Sequence, residues 1–226
     1  MSALERIGFD ADYYRHERAE MLRFVPPKRQ RVLEIGCSAG SFVASIPGCE
    51  EKWGVEPTDA AVVAGERLTR VFQGTFESIK DQLPARYFDV IVCNDVIEHM
   101  ADHRAFLAEV KNYLTPGGML IGSLPNVCFY DTLFRALFDN EWEYLDSGVL
   151  DRTHVSFFTT KSFRRTLEET GYRVIQIQGI WYDYRFANDR KGRFYRLLAK
   201  ILGKVSLGRL SHLRHLQFAF QAVPAK

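Results

Sequence analysis

The chain has 226 residues, a formal net charge of +2 and 46% hydrophobic residues. This length suits one α/β domain with a sizeable core, and the small net charge gives no global field that would require nucleic acid as a partner. No apolar run reaches the length of a membrane span, and the N-terminus lacks the pattern of a signal peptide.

The four cysteines show no Cys-x-x-Cys spacing, and most lie in or beside apolar runs; they are Cys37, Cys49, Cys93 and Cys128. We interpret them as reduced, small hydrophobic side chains. This usage predicts a cytoplasmic protein without a disulfide framework or a zinc site.

Residues 32–42 read Val-Leu-Glu-Ile-Gly-Cys-Ser-Ala-Gly-Ser-Phe, an apolar run followed by small residues. The pattern predicts a buried strand, a tight turn and the start of a helix. A turn of small residues lets a ligand approach the main chain. In an open α/β sheet, the ligand crevice lies at the carboxyl end of the first strand.

Glu56 ends a second apolar run, twenty residues beyond Gly36. An acid at this spacing is the usual partner of ribose hydroxyls, because one carboxylate offers two acceptor oxygens. We therefore favour a nucleoside site over an ordinary strand–helix turn followed by a surface glutamate. A dinucleotide site is a poor match, since serines occupy two of its three glycine positions, and Glu34 would repel a pyrophosphate but could face a cation.

The segment from Glu34 to Gly40 resembles the first motif of the class I S-adenosylmethionine-dependent methyltransferases, and Glu56 matches the ribose-binding acid of that family. The resemblance covers about residues 30–180 and the last strand. It implies a three-layer, Rossmann-like α/β sandwich with a seven-stranded, mostly parallel sheet whose last strand is antiparallel. It also implies S-adenosylmethionine as the cofactor, bordered by Glu34, Gly36, Cys37, Ser38, Gly40, Glu56 and Pro57. Ser38 is a departure, since the family most often has glycine there.

The rest of the chain predicts the alternating elements of such a fold. Helices are expected at 10–24, 41–46, 59–68, 102–114 and 161–170, the last capped by Thr160, and strands at 32–35, 51–56, 71–72, 87–95, 119–126, 172–180 and 215–223. A tight turn is expected at 115–118.

Two further residues are expected at the cofactor. The family commonly has an acid after the third strand that bonds to the adenine amine, but here Thr75 and Phe76 follow Gly74. We expect Phe76 to stack on the adenine or to bond to it through its main chain. Asp95 ends the fourth strand and is expected to accept a hydrogen bond from the methionine amine.

The sequence indicates the methyl acceptor less clearly than it indicates the cofactor. Phe134, Phe138 and Trp142 recur at four-residue spacing, so they share one helix face, either as core or as the wall of an acceptor pocket. The segment 151–160 resembles a motif of a bacterial subgroup linked to sugar modification. We therefore expect O-methylation of a sugar or nucleotide-sugar in polysaccharide or glycoconjugate biosynthesis. The alternatives are a small aromatic or quinone-like hydroxyl, and a non-catalytic cofactor-binding subunit of a glycosyltransferase complex.

A sugar hydroxyl is too weakly acidic to ionise alone, so a positioned base would raise the rate by about 10²- to 10⁴-fold. His99 and His154 are the candidate bases, and Glu98 is a further one. Each histidine is equally well explained as a residue that bonds to the main chain. No metal is expected, because no tight spacing of carboxylates and histidines is present.

The chain is interpreted as one domain, 1–226, with a helical cover over the cofactor cleft at 1–29, an acceptor-side insertion at 126–160 and a basic amphipathic insertion at 181–213. The predicted apolar stripe of the last is Phe194, Leu197, Leu198, Ile201, Leu202 and Val205. We favour packing of this helix on its own domain or on a partner protein over contact of 190–213 with an anionic membrane. The sequence leaves the oligomeric state open.

Overall fold

A computed structural model of the chain describes residues 18–180 and 189–225. The strands are β1 (Arg31–Ile35), β2 (Glu51–Glu56), β3 (Arg70–Gln73), β4 (Phe88–Asn94), β5 (Leu114–Pro125), β6 (Tyr172–Ile180) and β7 (Gln217–Pro224). The α-helices are α1 (Ser41–Ser45), α2 (Ala60–Gly65), α3 (Phe76–Ile79), α4 (His103–Val110), α5 (Tyr130–Phe134), α6 (Thr160–Glu169) and α7 (Arg190–Val205).

The strands form one sheet in the order β3-β2-β1-β4-β5-β7-β6. Neighbouring strands from β3 to β5 pair in parallel, and β7 runs antiparallel to both β5 and β6. The predicted fold class is confirmed. The chain moves from β1 outward to β3 on one side and then returns to β4 on the other side, so a crevice opens beyond the carboxyl ends of β1 and β4.

Both faces of the sheet are covered. Along β1, Val32 belongs to one buried cluster and Leu33 to the cluster on the opposite face, and both side chains are fully buried. Successive side chains of a strand alternate between faces, so an uninterrupted apolar strand requires helices on both sides. A third buried cluster joins α5 to α7 through Phe134, Tyr195 and Leu213.

Three local predictions need correction. Residues 19–24 form a 3-10 helix, while 10–17 lie outside the described residues. The expected turn at 115–118 lies within the bounds of β5, where the register with β4 shifts between the Phe88–Leu114 and Val90–Met119 pairs and Gly117 has the expected positive φ, +89°. The cap of α6 is Thr159, whose hydroxyl accepts a hydrogen bond from the Ser162 main chain while the Ser162 hydroxyl accepts one from Thr159 N–H.

The expected aromatic face at 134–142 is divided. Phe134 is 4% exposed, whereas Phe138 and Trp142 are 57% and 47% exposed. A π-helix at Arg135–Asp139 directly follows α5, and the rings of Phe134 and Phe138 still lie 5.6 Å apart between centroids. The helical run ends at Asn140, which has a left-handed conformation, so Trp142 lies beyond the helix and is not on its face.

Helix α7 packs on the domain through a face that partly overlaps the predicted stripe, because Leu198 and Leu202 of that stripe pack against the third buried cluster. Tyr195 and Ala199 are buried, whereas Phe194, Leu197 and Ile201 from the predicted stripe are about half exposed or more. Residues 181–188 of the predicted insertion lie outside the described residues. Among the described residues, no helix combines the length and the hydropathy that a membrane crossing requires.

Candidate active site

The loop between β1 and α1 has the backbone geometry that its small residues predict. Gly36, Ser38 and Gly40 have φ values of +70°, +50° and +74°. A side chain at Gly36 would place its Cβ 2.5 Å from Cγ2 of Val96. The glycine is therefore needed for both conformation and space, while Ser38 holds a left-handed conformation that costs a non-glycine residue some strain.

Glu56 lies at the carboxyl end of β2 and connects the loop to the next turn. One carboxylate oxygen, Oε2, accepts a hydrogen bond from Ser38 N–H at 2.8 Å. The other, Oε1, accepts from the main chain and the hydroxyl of Thr58 at 3.0 and 2.6 Å. Because a carboxylate oxygen accepts two bonds, Oε2 keeps acceptor capacity for a hydroxyl donor. Pro57 is exposed beside it.

Glu34 is buried beneath this loop. Its carboxylate accepts from Val43 N–H, in the first turn of α1, and from the Asn94 side-chain amide, each at 3.3 Å. Burial raises the pKa of Glu34 to about 8, and the two hydrogen bonds only partly oppose that effect. These two hydrogen bonds hold the Glu34 side chain against the first turn of α1 and the end of β4, underneath the loop.

Two predicted cofactor residues direct their side chains into the core. The Phe76 ring is 3% exposed and packs edge-on against Phe106 at 5.0 Å between ring centroids. This packing favours the main-chain alternative, and the contact of Phe76 with an adenine stays a prediction. Cys37 is also buried, with Sγ against the main chain of Gly54, so it offers a ligand only its main chain.

Asp95 already has protein partners. Its carboxylate pairs with the guanidinium of Arg18 and accepts hydrogen bonds from Gln217 Nε2 at 2.9 Å and the Ser123 hydroxyl at 3.2 Å. Arg18 also donates to Ser123 Oγ and Gln217 Oε1 at 2.8 and 3.0 Å. The predicted bond to a methionine amine therefore competes with these contacts.

The two predicted bases come together. The rings of His99 and His154 are 4.8 Å apart between centroids, at 69° to each other. His99 Nδ1 lies 3.2 Å from the Thr153 carbonyl, and His154 Nδ1 lies 3.0 Å from the Val149 carbonyl. A carbonyl can only accept, so each Nδ1 carries the proton and each Nε2 has the free lone pair. Burial, and then the neighbouring His154 ring, lower the pKa of His99 below its usual value, which favours a neutral imidazole.

Glu98 completes this group of side chains. It is 1% exposed, and neither carboxylate oxygen has a hydrogen-bond partner within the described part of the chain. Burial, and then the nearby Asp95 carboxylate, raise its pKa well above the ordinary range. Its main-chain carbonyl accepts from Val155 N–H and Ser156 N–H at 2.9 and 3.1 Å, which fixes the His154 segment against the end of β4.

Comparison with known proteins decides the family. The sequence profile of a family described as "Methyltransferase domain" matches residues 8–177. The chain belongs to this family. A ubiquinone biosynthesis O-methyltransferase from Azorhizobium caulinodans is 32% identical over 190 residues, which are 79% of this chain and 73% of that protein. The corresponding enzyme of Rickettsia prowazekii is 23% identical over 193 residues, covering 78% of this chain and 73% of that protein.

Comparison with solved structures agrees with the family assignment. A crystal structure of a SAM-dependent methyltransferase from Archaeoglobus fulgidus superposes with a TM-score of 0.66 and 18% identity, covering 97% of this chain and 96% of that chain. The predicted recognition is confirmed: this chain is an S-adenosylmethionine-dependent methyltransferase of class I fold. The prediction of an enzyme is confirmed with it.

The three residues whose side chains hold Asp95 had no sequence signal as a group. Arg18 lies 77 positions before Asp95, and Ser123 and Gln217 lie 28 and 122 positions after it. No motif pointed to them. The only available signal for Ser123 was its position at the end of a predicted central strand, beside the end of the strand that carries Asp95.

Proposed function

We propose that this methyltransferase transfers the methyl group of S-adenosylmethionine to a hydroxyl oxygen of a small aromatic or quinone-like acceptor, with His99 or His154 as the base. The observation that carries the proposal is the pair of imidazole rings with their Nδ1 atoms bonded to main-chain carbonyls, beside the carboxyl end of β4. Such a pair presents basic nitrogens next to the crevice.

The cofactor side fits an adenosyl ligand. Gly36 is half-buried with its N–H bonded to the Val55 carbonyl at 2.8 Å, and a Cβ there would clash with Val96. Glu56 Oε2 keeps acceptor capacity for a ribose hydroxyl. Both features lie at the switch point of the sheet, where ligands of open α/β folds bind. We assign Gly36, Ser38, Gly40 and Glu56 to the cofactor on these grounds.

Two observations favour an aromatic acceptor. The Azorhizobium caulinodans and Rickettsia prowazekii relatives are ubiquinone biosynthesis O-methyltransferases, which supports the quinone-like alternative over the sugar acceptor and a role in polysaccharide biosynthesis. Beside His154, the ring of Phe157 lies 6.0 Å from Trp142 and 6.3 Å from Tyr144, and the latter two rings are about half exposed. These rings offer flat apolar surface to an aromatic ligand.

The chemistry follows from the positions of these groups. S-adenosylmethionine supplies the methyl group from a positively charged sulfur, which becomes a neutral thioether as the carbon–sulfur bond breaks and takes its electron pair. The acceptor oxygen forms the new bond to carbon, and its proton passes to Nε2 of His99 or His154 and then to water. A positioned base of this kind contributes about 10²- to 10⁴-fold to the rate.

Turnover of radiolabelled S-adenosylmethionine with matched acceptor panels tests the proposal. We expect methylation of catechols and hydroquinones and none of nucleotide-sugars. We expect His99→Ala, His154→Ala or both to lower kcat by about 10²-fold or more while the cofactor Kd measured by calorimetry is unchanged. His212→Ala, outside the site, is the matched control. Methylation of nucleotide-sugars alone would refute the acceptor, and full turnover in both site variants would refute the base.

One exposed face of α7 favours the hypothesis that the acceptor is carried in a lipid membrane. Phe194, Leu197 and Ile201 form an exposed apolar row at helical spacing. The cations Lys200 and Lys204 are exposed beside this row. Apolar side chains flanked by cations match the chemistry of an anionic lipid surface. We therefore propose that this face of α7 binds anionic membranes.

Vesicle sedimentation tests this surface. We expect binding to phosphatidylglycerol vesicles at low salt, weaker binding at high salt, and at least a tenfold loss in the double variant Leu197→Ser, Ile201→Ser. Val62→Ser, at another exposed apolar position, is the control. Absence of binding would refute the proposal, as would a dimer in solution that the same double variant dissociates.

A further inference from the structure

Glu98, His99 and His154 form a compact set of metal-binding side chains. Each offers one donor atom, and the three atoms lie within 4.8 Å of one another. His154 comes from a segment 55 positions after His99, so the set exists only in the folded chain. Two imidazoles and one carboxylate are a donor set that Zn²⁺ and other divalent transition metals accept.

The supporting contacts match those of a metal site. Both rings are fixed through Nδ1 by main-chain carbonyls, those of Thr153 and Val149. Metal-binding histidines generally donate the other ring N–H in this way, which sets the tautomer and the orientation of the ring. The hydrogen bonds from residues 155 and 156 to the Glu98 carbonyl hold the two segments together without using the side chains.

The Glu98 carboxylate is the independent observation that points to a ligand. It is 1% exposed and has no hydrogen-bond partner for either oxygen in the part of the chain that the structure describes. Burying a carboxylate without a partner is costly, so its position next to two imidazoles requires an explanation. Asp95 and Asp151 add negative potential at Glu98, although Arg18 opposes it. A cation between Glu98 and the two rings would satisfy the carboxylate.

We propose that Glu98, His99 and His154 bind one divalent transition-metal ion of the Zn²⁺ type. Three protein ligands leave a coordination position open, as in catalytic rather than structural zinc sites. This inference rests on the acceptor of the proposed function and not on its histidine base. The open position would take the acceptor oxygen and make its hydroxyl more acidic. With the ion bound, both imidazoles are ligands, so the acceptor proton would pass to water instead of to Nε2 of either histidine.

Metal binding is measured without any acceptor, so its outcome is separate from that of the proposed function. The metal-stripped protein is titrated with Zn²⁺ by calorimetry and with Co²⁺ by visible absorption. We expect one ion per chain, a higher Tm with the ion, and at least tenfold weaker binding in Glu98→Gln and in His154→Gln. His212→Gln, a histidine outside the cluster, should bind as the wild type does.

Glu98→Gln keeps the volume of the side chain and breaks no described hydrogen bond, so it is expected to fold. The absence of binding at one ion per chain would overturn the proposal, as would equal affinity in wild type and Glu98→Gln. A thiolate-to-cobalt charge-transfer band would also overturn it, because that band would locate the ion at a cysteine. Failure to methylate phenols with normal metal binding would instead count against the proposed acceptor alone.

Discussion

The buried carboxyl of Glu34 predicts that part of the pH dependence of stability comes from one side chain. Its pKa is raised from 4.5 to about 8, chiefly by burial. A carboxyl with a higher pKa in the folded state binds its proton more tightly there than in the unfolded chain. Its contribution to stability is therefore fully present below about pH 4.5 and is lost as the pH rises to about 8.

The size of this effect follows from the two pKa values. The difference between 4.5 and about 8 corresponds to about 5 kcal/mol at 1.36 kcal/mol for each pH unit. Between pH 5 and pH 8.5, most of this, about 4 kcal/mol, is lost from the free energy of unfolding.

Glu34→Gln tests this reasoning. Glutamine keeps the size of the side chain and one acceptor oxygen but does not ionise. We expect the wild type to lose about 4 kcal/mol more between pH 5 and pH 8.5 than the variant does. Urea unfolding followed by circular dichroism at both pH values measures the difference.

The other groups that titrate between pH 5 and pH 8.5 are the same in the wild type and in Glu34→Gln. Glu98 shifts stability in the same direction, since its pKa is also raised by burial, and it is unchanged in Glu34→Gln. Glu66→Gln removes an exposed carboxylate and serves as the control. If Glu34→Gln and wild type show parallel pH profiles, the Glu34 carboxyl is not destabilised by burial and the reasoning fails.

Three further changes test the fold and the cofactor loop. Gly36→Ala should weaken cofactor binding in calorimetry by at least tenfold, because its Cβ meets Val96, whereas Gly48→Ala, with the similar φ of +68° and open space, should not; equal affinities would refute the clash. Thr159→Ala should lower the urea-unfolding free energy by about 1 kcal/mol through loss of the capping box, and Thr160→Ala by clearly less; the reverse order would restore Thr160 as the cap. Phe134→Ala should cost about 3–5 kcal/mol in the same assay, since the ring is 4% exposed in the cluster under α7, and a loss below about 1 kcal/mol would show that this cluster contributes little.

The fold and the conformation of the loop after β1 were predictable because their signals are local. Uninterrupted apolar runs predict strands covered on both faces, and the helices between them predict parallel pairing. The positive φ values at Gly36 and Gly40 follow from the need for small residues at a tight turn. The position of Glu56, twenty residues beyond Gly36, then follows from the number of residues needed to connect two neighbouring parallel strands.

The acceptor side was only partly predictable. His99 and His154 were recognised as candidates by residue type and by position after a strand. Their contact with each other and with Glu98 depends on hydrogen bonds between residues 98 and 155–156, which no local pattern encodes. The metal proposal arises from that juxtaposition, since no sequence spacing indicated it.

The sequence alone determined the strands of the sheet, the turn of small residues after β1 and the family, because each rests on residues close together in the chain. Tertiary structure alone decided which face of α7 is buried, where Arg18 pairs, and which histidine lies beside Glu98. A helix with apolar residues on much of its circumference buries whichever face its neighbours complement. Contacts between distant segments are set by packing, so they are seen only once the chain is folded.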